Sequence, residues 1–220
     1  MVQNVVKKKE VFAEGLNWYK LLWCFAIASL IGTWYEELIT ILRDGVWQSR
    51  RGLIYGPFNP LYGAGFIITI MIFHRFKDPI KIFVLGGLFG ATFEYFLGYF
   101  QEVIFGSKSW SYEGQFLNIQ GRTSPIYALV WGIFAVAFVK VVYPYVSKMI
   151  ESIPKNQGVI ISRILLVFFV LNITLTVGVL LRYNHKMQGI KAITPLGEFY
   201  DEHFGEEVIS DLFPDMVFIE

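Results

Sequence analysis

Long apolar runs constrain this chain more than any other feature of its sequence. Five of them alternate with polar segments, at residues 18–42, 60–73, 82–105, 125–146 and 159–181. A helix needs about 20 mostly apolar residues to cross the hydrocarbon core of a membrane. The second run is shorter than that and contains glycine. The sequence therefore predicts an all-α, polytopic transmembrane helix bundle with about five spans.

The composition agrees with a chain whose main partner is the lipid bilayer. It is 55% hydrophobic and 17% charged, whereas about 25% of the residues in soluble proteins are charged. A net charge of +1 gives no reason to expect a nucleic-acid partner. The single cysteine, Cys24, lies in an apolar run, and we interpret it as a packing residue. The three histidines are scattered, so we expect no metal site and no cofactor.

We divide the chain into a transmembrane domain, residues 1–182, and an acidic, amphipathic C-terminal tail, residues 183–220. The tail carries several large apolar side chains besides its carboxylates, so we expect it to be partly ordered and packed. No internal repeat is evident in the sequence. Lysine and arginine counts beside the spans favour a cytoplasmic N-terminus and an external C-terminus. Several cations lie on the external side, and we interpret them as held there by function.

Two loops predicted on the external side are unusually rich in polar aromatic residues. The first, "RGLIYGPFNPLYG" at residues 51–63, contains prolines and glycines that enforce a backbone shape. The second is "SWSYEGQFLNIQGR" at residues 109–122. Irregular backbone at membrane depth is tolerated only against protein or a wet cavity. We therefore expect the loops to touch and to close one cavity, although a rigid interhelical turn capped by Asn59 and interfacial anchoring by Trp110 and Tyr112 remain alternatives.

Carboxylates within the predicted spans point to the same side. Glu36 lies near the end of the first span, and Glu94 and Glu102 share one face of the third with Gly98 between them. A charge at the bilayer centre costs at least about 2.5 kcal/mol, so Glu94 needs a partner, and we expect Arg51 or Arg122. A purely structural ion pair would satisfy the same requirement. The candidate substrate-binding residues are Glu36, Arg51, Tyr55, Asn59, Tyr62, Glu94, Glu102, Trp110, Tyr112, Asn118 and Arg122; catalytic residues stay unassigned.

These elements also carry a family resemblance. "RGLIYGPFNPLYGAG", "GATFEYFLGYFQEVIFG", "NIQGR" and the tail "FYDEHFGEEVISDLFPDM" resemble the CmpB-like family of type IV ABC-transporter permeases, which are bacterial integral membrane proteins. Two positions depart from the family pattern: Ser111, where aspartate is common, and Asp215, where asparagine follows the proline. The resemblance implies a multi-pass protein of the bacterial cytoplasmic membrane that takes part in transport.

The chain contains no G-x-x-x-x-G-K-[ST], so an ATPase would have to be a separate subunit in trans. The leading hypothesis is a permease-like protein that handles a polar or charged substrate at an external cavity. One alternative is a membrane-embedded enzyme that uses carboxylate acid/base chemistry on a lipid or cell-wall precursor. Another is a non-catalytic assembly partner, and a homo-oligomer is left open.

Overall fold

A computed structural model describes residues 11–219. The helices are α1 (Trp18–Asp44), α2 (Pro60–Phe73), α3 (Pro79–Phe105), α4 (Pro125–Ala137), α5 (Tyr143–Glu151), α6 (Lys155–Met187), α7 (Pro195–His203) and α8 (Glu206–Leu212). A π-helical turn, Phe138–Val142, joins α4 to α5, and two-residue strands β1 (Ser107–Lys108) and β2 (Val217–Phe218) pair antiparallel. The predicted all-α membrane bundle is confirmed.

Four helical stretches are long and apolar enough to cross a membrane: Trp18–Asp44, Pro79–Phe105, Pro125–Glu151 and Lys155–Met187. The fifth predicted span, α2, has 14 residues and therefore measures about 21 Å, short of the roughly 30 Å hydrocarbon core. The irregular segment 45–59 leads from the end of α1 to the start of α2.

Helices α1 to α4 form two hairpins built on one plan. In each, a helix of 27 residues is followed by an irregular segment and then by a helix that begins with proline, at Pro60 and Pro125. The first of these, α2, is short, whereas α4 continues through the π-helical turn and α5 to Glu151. The Asn59 N–H, just before α2, donates to the Ser29 carbonyl of α1, and Thr123, just before α4, bonds to Glu94 of α3. The second helix of each hairpin therefore begins well below the end of its partner, by about 22 Å for α2 and about 17 Å for α4. We call the end of the bundle from which these segments descend the tail side, because the C-terminal tail also lies there.

The α3–α4 hairpin is held by small residues. A Cβ added at Gly90 would lie 2.3 Å from Cβ of Trp131, and one added at Gly86 would lie 2.3 Å from Cβ of Ala135. Such close approach is common between helices in lipid. The acyl chains are as apolar as the helix surfaces, so association depends on close van der Waals contact and not on the hydrophobic effect. The π-helical turn directly precedes Pro144 and accommodates a ring that an unbroken α-helix would reject.

Helix α6 runs the full height of the bundle and holds the irregular segment of the first hairpin. Asn172 Oδ1 accepts from the Tyr55 backbone N–H at 3.1 Å, and Asn172 Nδ2 donates to the Tyr55 carbonyl at 2.7 Å. One turn along the helix, Thr176 Oγ1 accepts from the Ile54 N–H at 3.1 Å. These bonds replace the water that backbone groups at this depth lack.

The C-terminal tail is packed. Val179, Leu180 and Tyr183 of α6 form a buried cluster with Ile209 and Phe213 of the tail. Arg50 forms an ion pair with Asp215, and Ser49 Oγ donates to the Leu212 carbonyl at 3.3 Å, so the tail also contacts the segment 45–59. At the opposite end, fully buried Lys20 of α1 forms an ion pair with Glu151 of α5 at 2.6 Å.

Candidate functional site between the two hairpins

Glu94 lies inside the bundle and bonds to hydroxyl groups. Glu94 is only 7% exposed. Tyr112 Oη donates to Oε1 at 2.7 Å, and Thr123 Oγ1 donates to Oε2 at 2.9 Å. The prediction of an arginine partner was wrong. The loop after α3 folds back along the helix and brings its phenol and its threonine, not a guanidinium, to this depth.

Arg122 instead pairs with Glu102, eight residues nearer the tail side. Its Nε donates to Glu102 Oε1 at 3.0 Å and its NH2 group to Oε2, which is a bidentate ion pair. The guanidinium also lies over the rings of Tyr95 and Tyr99, at 5.4 and 5.6 Å from their centres. Its charge is therefore already matched within the protein.

Gly98 makes room for this arrangement, as its position between the two carboxylates suggested. An added Cβ would lie 3.3 Å from both the Arg122 and the Trp110 side chains. The close approach at Gly98 is therefore made by side chains and not by a neighbouring backbone. Trp110 Nε1 donates to the Arg122 carbonyl at 3.0 Å, so the tryptophan positions the arginine rather than anchoring in the interface alone.

Glu36 occupies the equivalent place in the first hairpin. Its carboxylate accepts a hydrogen bond from Tyr62 of α2. Arg50 lies near Glu36, but its guanidinium is bonded to other groups. Its Nε donates to Thr40 Oγ1 at 2.9 Å, and its NH1 group forms an ion pair with Asp215. Each hairpin therefore places one glutamate of its long helix against one tyrosine hydroxyl.

The remaining candidates shape the loops. Asn59 caps α2, where Oδ1 accepts from the Leu61 N–H at 3.1 Å, and this was the structural alternative for that residue. Asn118 Oδ1 accepts from the Gly121 N–H at 2.8 Å and closes the second loop on itself. Arg51 Nε donates to Ser49 Oγ, and the Tyr55 side chain is 56% exposed. None of these four side chains contacts a carboxylate of the site within residues 11–219.

Sequence reasoning missed several residues that support the site. They are Thr123 beside Glu94, Asn172 and Thr176 beneath the first irregular segment, and Asp215, which holds Arg50. The available signal was Asn172 itself, an amide in the middle of an apolar run, because a polar residue at that depth needs a partner. Asp215 had been noted only as a departure from the family pattern.

The two carboxylates share a further feature, which is their position beside the start of a helix. Tyr62 is in the first turn of α2, and Thr123 directly precedes Ser124, the N-cap of α4. The exposed N–H groups at a helix N-terminus carry a partial positive charge that favours a nearby anion. The hairpins contact each other where Tyr35 of α1 packs edge-on against Phe134 of α4, with ring centres 6.5 Å apart. Hydroxyl groups thus bond to both carboxylates, while Arg50 and Arg122 form their ion pairs elsewhere.

Comparison with known proteins places the chain in one family. The family described as "Putative ABC-transporter type IV" matches residues 23–177. That range includes both hairpins, both loops and most of α6. The chain belongs to this family.

The family assignment supports a multi-pass membrane protein of ABC-transporter type. No curated protein and no solved structure matches the chain. The matched range contains Glu36, Glu94 and Asn172 but ends before the C-terminal tail, so Asp201 and Asp215 lie outside it.

Proposed function

We propose that this chain is the membrane-spanning subunit of an ABC-type transporter, and that its polar substrate binds between the two hairpins at Glu36 and Glu94. The observation that carries the proposal is the environment of Glu94. It is a buried carboxylate at membrane depth whose partners among residues 11–219 are neutral groups, the hydroxyls of Tyr112 and Thr123 and the indole of Trp131, and not cations. An ionisable residue placed in this way is, by default, a candidate for a transport pathway.

The hairpin plan supports the same site. In many transporters a substrate or coupling ion binds near the bilayer midplane, where interrupted or short helices from two halves of the protein meet. Here α2 and α4 both begin deep beside their long partners, about 22 Å and about 17 Å below the tail-side ends of α1 and α3. A glutamate of the long partner lies near each start, and we assign the site to this region of the bundle.

The charge balance favours a cation, or a proton, over an anion. Arg122 is bound to Glu102, and Arg50 is bound to Asp215. An anion entering between Glu36 and Glu94 would meet two carboxylates. Arg51 forms no ion pair within residues 11–219, but it is bonded to Ser49 and contacts neither carboxylate. A cationic substrate would gain from both carboxylates, and the Tyr62 and Tyr112 hydroxyls would orient them.

Energy for transport would come from another chain. We propose a cytoplasmic N-terminus and an external C-terminus, in the bacterial cytoplasmic membrane. The connections opposite the tail side are short, at residues 74–78 and 152–154. These loops would therefore offer an ATPase on that side little surface for contact, and we expect it to contact the helix ends beside Lys20 and Glu151.

The test is affinity purification of the full chain from its native membrane, followed by reconstitution with the co-purified proteins. ATP-dependent flux of a labelled organic cation, lost in Glu94→Gln and retained in Glu37→Gln, is the expected result. Glu37 is the neighbour of Glu36 and serves as a matched carboxylate control. Chemical turnover of a lipid or cell-wall precursor by the purified chain alone would instead assign it to the membrane-embedded enzymes.

A further inference from the structure

A basic cleft lies on the tail side, away from both carboxylates. It is lined by Arg182, Lys186, Gly189, Ile190, Lys191, Ala192 and Asp201 and has a volume of about 270 Å³. Helix α6 ends at Met187, and a turn through Gly189, with φ of +76°, folds the chain back over the helix end. The cleft is therefore formed by the end of α6, by this turn and by the start of the tail.

One cation of the cleft is used to build it. Arg182 Nε and NH2 donate to the two carboxylate oxygens of Asp201 at 2.9 and 2.6 Å, and NH1 donates to the Ile190 carbonyl at 2.8 Å. These bonds lower the pKa of Asp201 below its ordinary value of 3.8, so this carboxylate is charged at neutral pH. Arg182 and Asp201 thus cancel and fix the wall of the cleft.

Two lysines remain. Lys186 interacts with the charge of Asp201 through space, but neither it nor Lys191 forms a side-chain hydrogen bond or a direct ion pair to any residue in the range 11–219. Both residues are exposed, and both line the cleft. The negative charge of Asp201 balances one of the three cations that line the cleft, so the cleft carries a net charge of two positive units. A cleft of this kind is complementary to an anion.

The surroundings of the cleft place it at the level of lipid headgroups. The apolar part of α6 ends at Leu181, one residue before Arg182. Ile190 lines the cleft and is 50% exposed, and exposed apolar residues flank the lining residues in the chain: Met187 at 58%, Ile193 at 94% and Leu196 at 58%. Apolar side chains beside lysines are typical of a surface that lies in the membrane interface, where acyl chains cover the apolar atoms.

We propose that this cleft binds the headgroup of an anionic phospholipid, with Lys186 and Lys191 on its phosphate. The apolar residues Met187, Ile190 and Ile193 then pack against the acyl chains. The lysine and arginine counts assign this side to the exterior, where an excess of cations is not expected. The lipid site explains why Arg182, Lys186 and Lys191 are nevertheless found there, so they do not argue against that orientation. This inference is independent of the proposed function.

The test measures lipid affinity of the full chain in detergent micelles. Phosphatidylglycerol, phosphatidylcholine and inorganic phosphate are titrated separately, and binding is followed by native mass spectrometry and by thermal stability. The test variant is Lys186→Gln/Lys191→Gln. The control is Lys81→Gln/Lys148→Gln, which removes two exposed lysines at the opposite end of the bundle.

The natural sequence is expected to bind phosphatidylglycerol more tightly than phosphatidylcholine. The test variant is expected to bind phosphatidylglycerol about 30-fold more weakly than the natural sequence does, since each lysine at a membrane surface contributes about fivefold to binding. The control variant is expected to bind as the natural sequence does. The single variant Lys191→Gln, in the turn beyond α6, keeps the test valid if the double variant unfolds, and its expected loss is about fivefold. Equal losses in test and control variants, no loss in either, or saturation by inorganic phosphate at the same concentration as by the lipid would each overturn the proposal.

Discussion

At the scale of single residues, the carboxylates of the spans have different roles. Glu102 is matched by Arg122 and closes the loop after α3 onto its helix. Glu94 and Glu36 are held by Tyr112 and Tyr62. Sequence reasoning identified all three carboxylates, because a charge within an apolar run always needs a partner. It could not assign the partners, since these depend on how far the following loop folds back along α3.

This difference predicts opposite effects of two glutamine substitutions on one helix face. Glu94→Gln keeps a carbonyl acceptor for one of the two hydroxyls, and its NH2 group can donate to the other once that hydroxyl rotates. Because it also removes a buried charge, its melting temperature is expected to equal or exceed that of the natural sequence. Glu102→Gln leaves Arg122 without its carboxylate and is expected to cost about 1–3 kcal/mol. Thermal unfolding in one detergent measures both. If Glu94→Gln were the less stable of the two, Glu94 would be a structural residue.

At the scale of elements, the two irregular segments satisfy their backbone groups in different ways. Segment 106–124 bonds to itself, for example where the Tyr112 N–H donates to the Gly121 carbonyl at 2.7 Å. Segment 45–59 instead depends on Asn172 and Thr176 of α6. The helices themselves were predictable, since α2 begins and ends where the apolar run does. The descent of segment 45–59 was not, because its partners lie more than a hundred residues further along the chain.

Asn172 is therefore expected to stabilise the first hairpin. Asn172→Leu keeps a side chain of similar volume and leaves the Tyr55 N–H and carbonyl without partners, at a cost of about 1–3 kcal/mol for each group. Chemical denaturation would measure the loss, and hydrogen exchange at the Tyr55 amide would locate it. Asn156→Leu, an exposed position on the same helix, should change neither. Unchanged exchange at Tyr55 in Asn172→Leu would contradict this role.

The packing of the second hairpin gives another matched pair. Gly90→Ala would place a methyl group 2.3 Å from Trp131 and is expected to destabilise the protein by about 1–3 kcal/mol through overpacking. Gly65→Ala, in α2, would meet its nearest atom at 3.8 Å and should be neutral or slightly stabilising, because alanine favours the helix. The two melting temperatures decide the matter, and similar values would mean that α3 and α4 are not in such close contact.

At the scale of the whole molecule, both irregular segments and the tail lie at one end of the bundle. The predicted five spans require this arrangement, and sequence reasoning derived it from the order of the runs. It also expected the tail to pack, since the tail is too apolar to stay solvated, and Ile209 and Phe213 are indeed buried. The similarity of the two hairpins was not predictable from the sequence, because it lies in the order of long helix, irregular segment and proline-initiated helix and not in repeated residues. The cavity expected beneath the two loops stays a prediction.

The predicted orientation has a direct test. A reporter fused after Glu220 should read as external, because an odd number of crossings separates the tail side from a cytoplasmic N-terminus. A matched fusion within residues 74–78, between α2 and α3, should read as cytoplasmic. The opposite pair of readings from intact protein would reverse the orientation.

The central claim is that Glu36 and Glu94 form one site that prefers cations. The most direct measurement is the thermal stabilisation of the purified chain by a panel of primary amines, quaternary ammonium ions, sugars and organic anions. Stabilisation by members of the cationic classes is predicted, at least tenfold weaker in apparent affinity in Glu36→Gln and in Glu94→Gln and unchanged in Glu37→Gln. Stabilisation by anions alone, or a cation response that survives in both Glu36→Gln and Glu94→Gln, would contradict it.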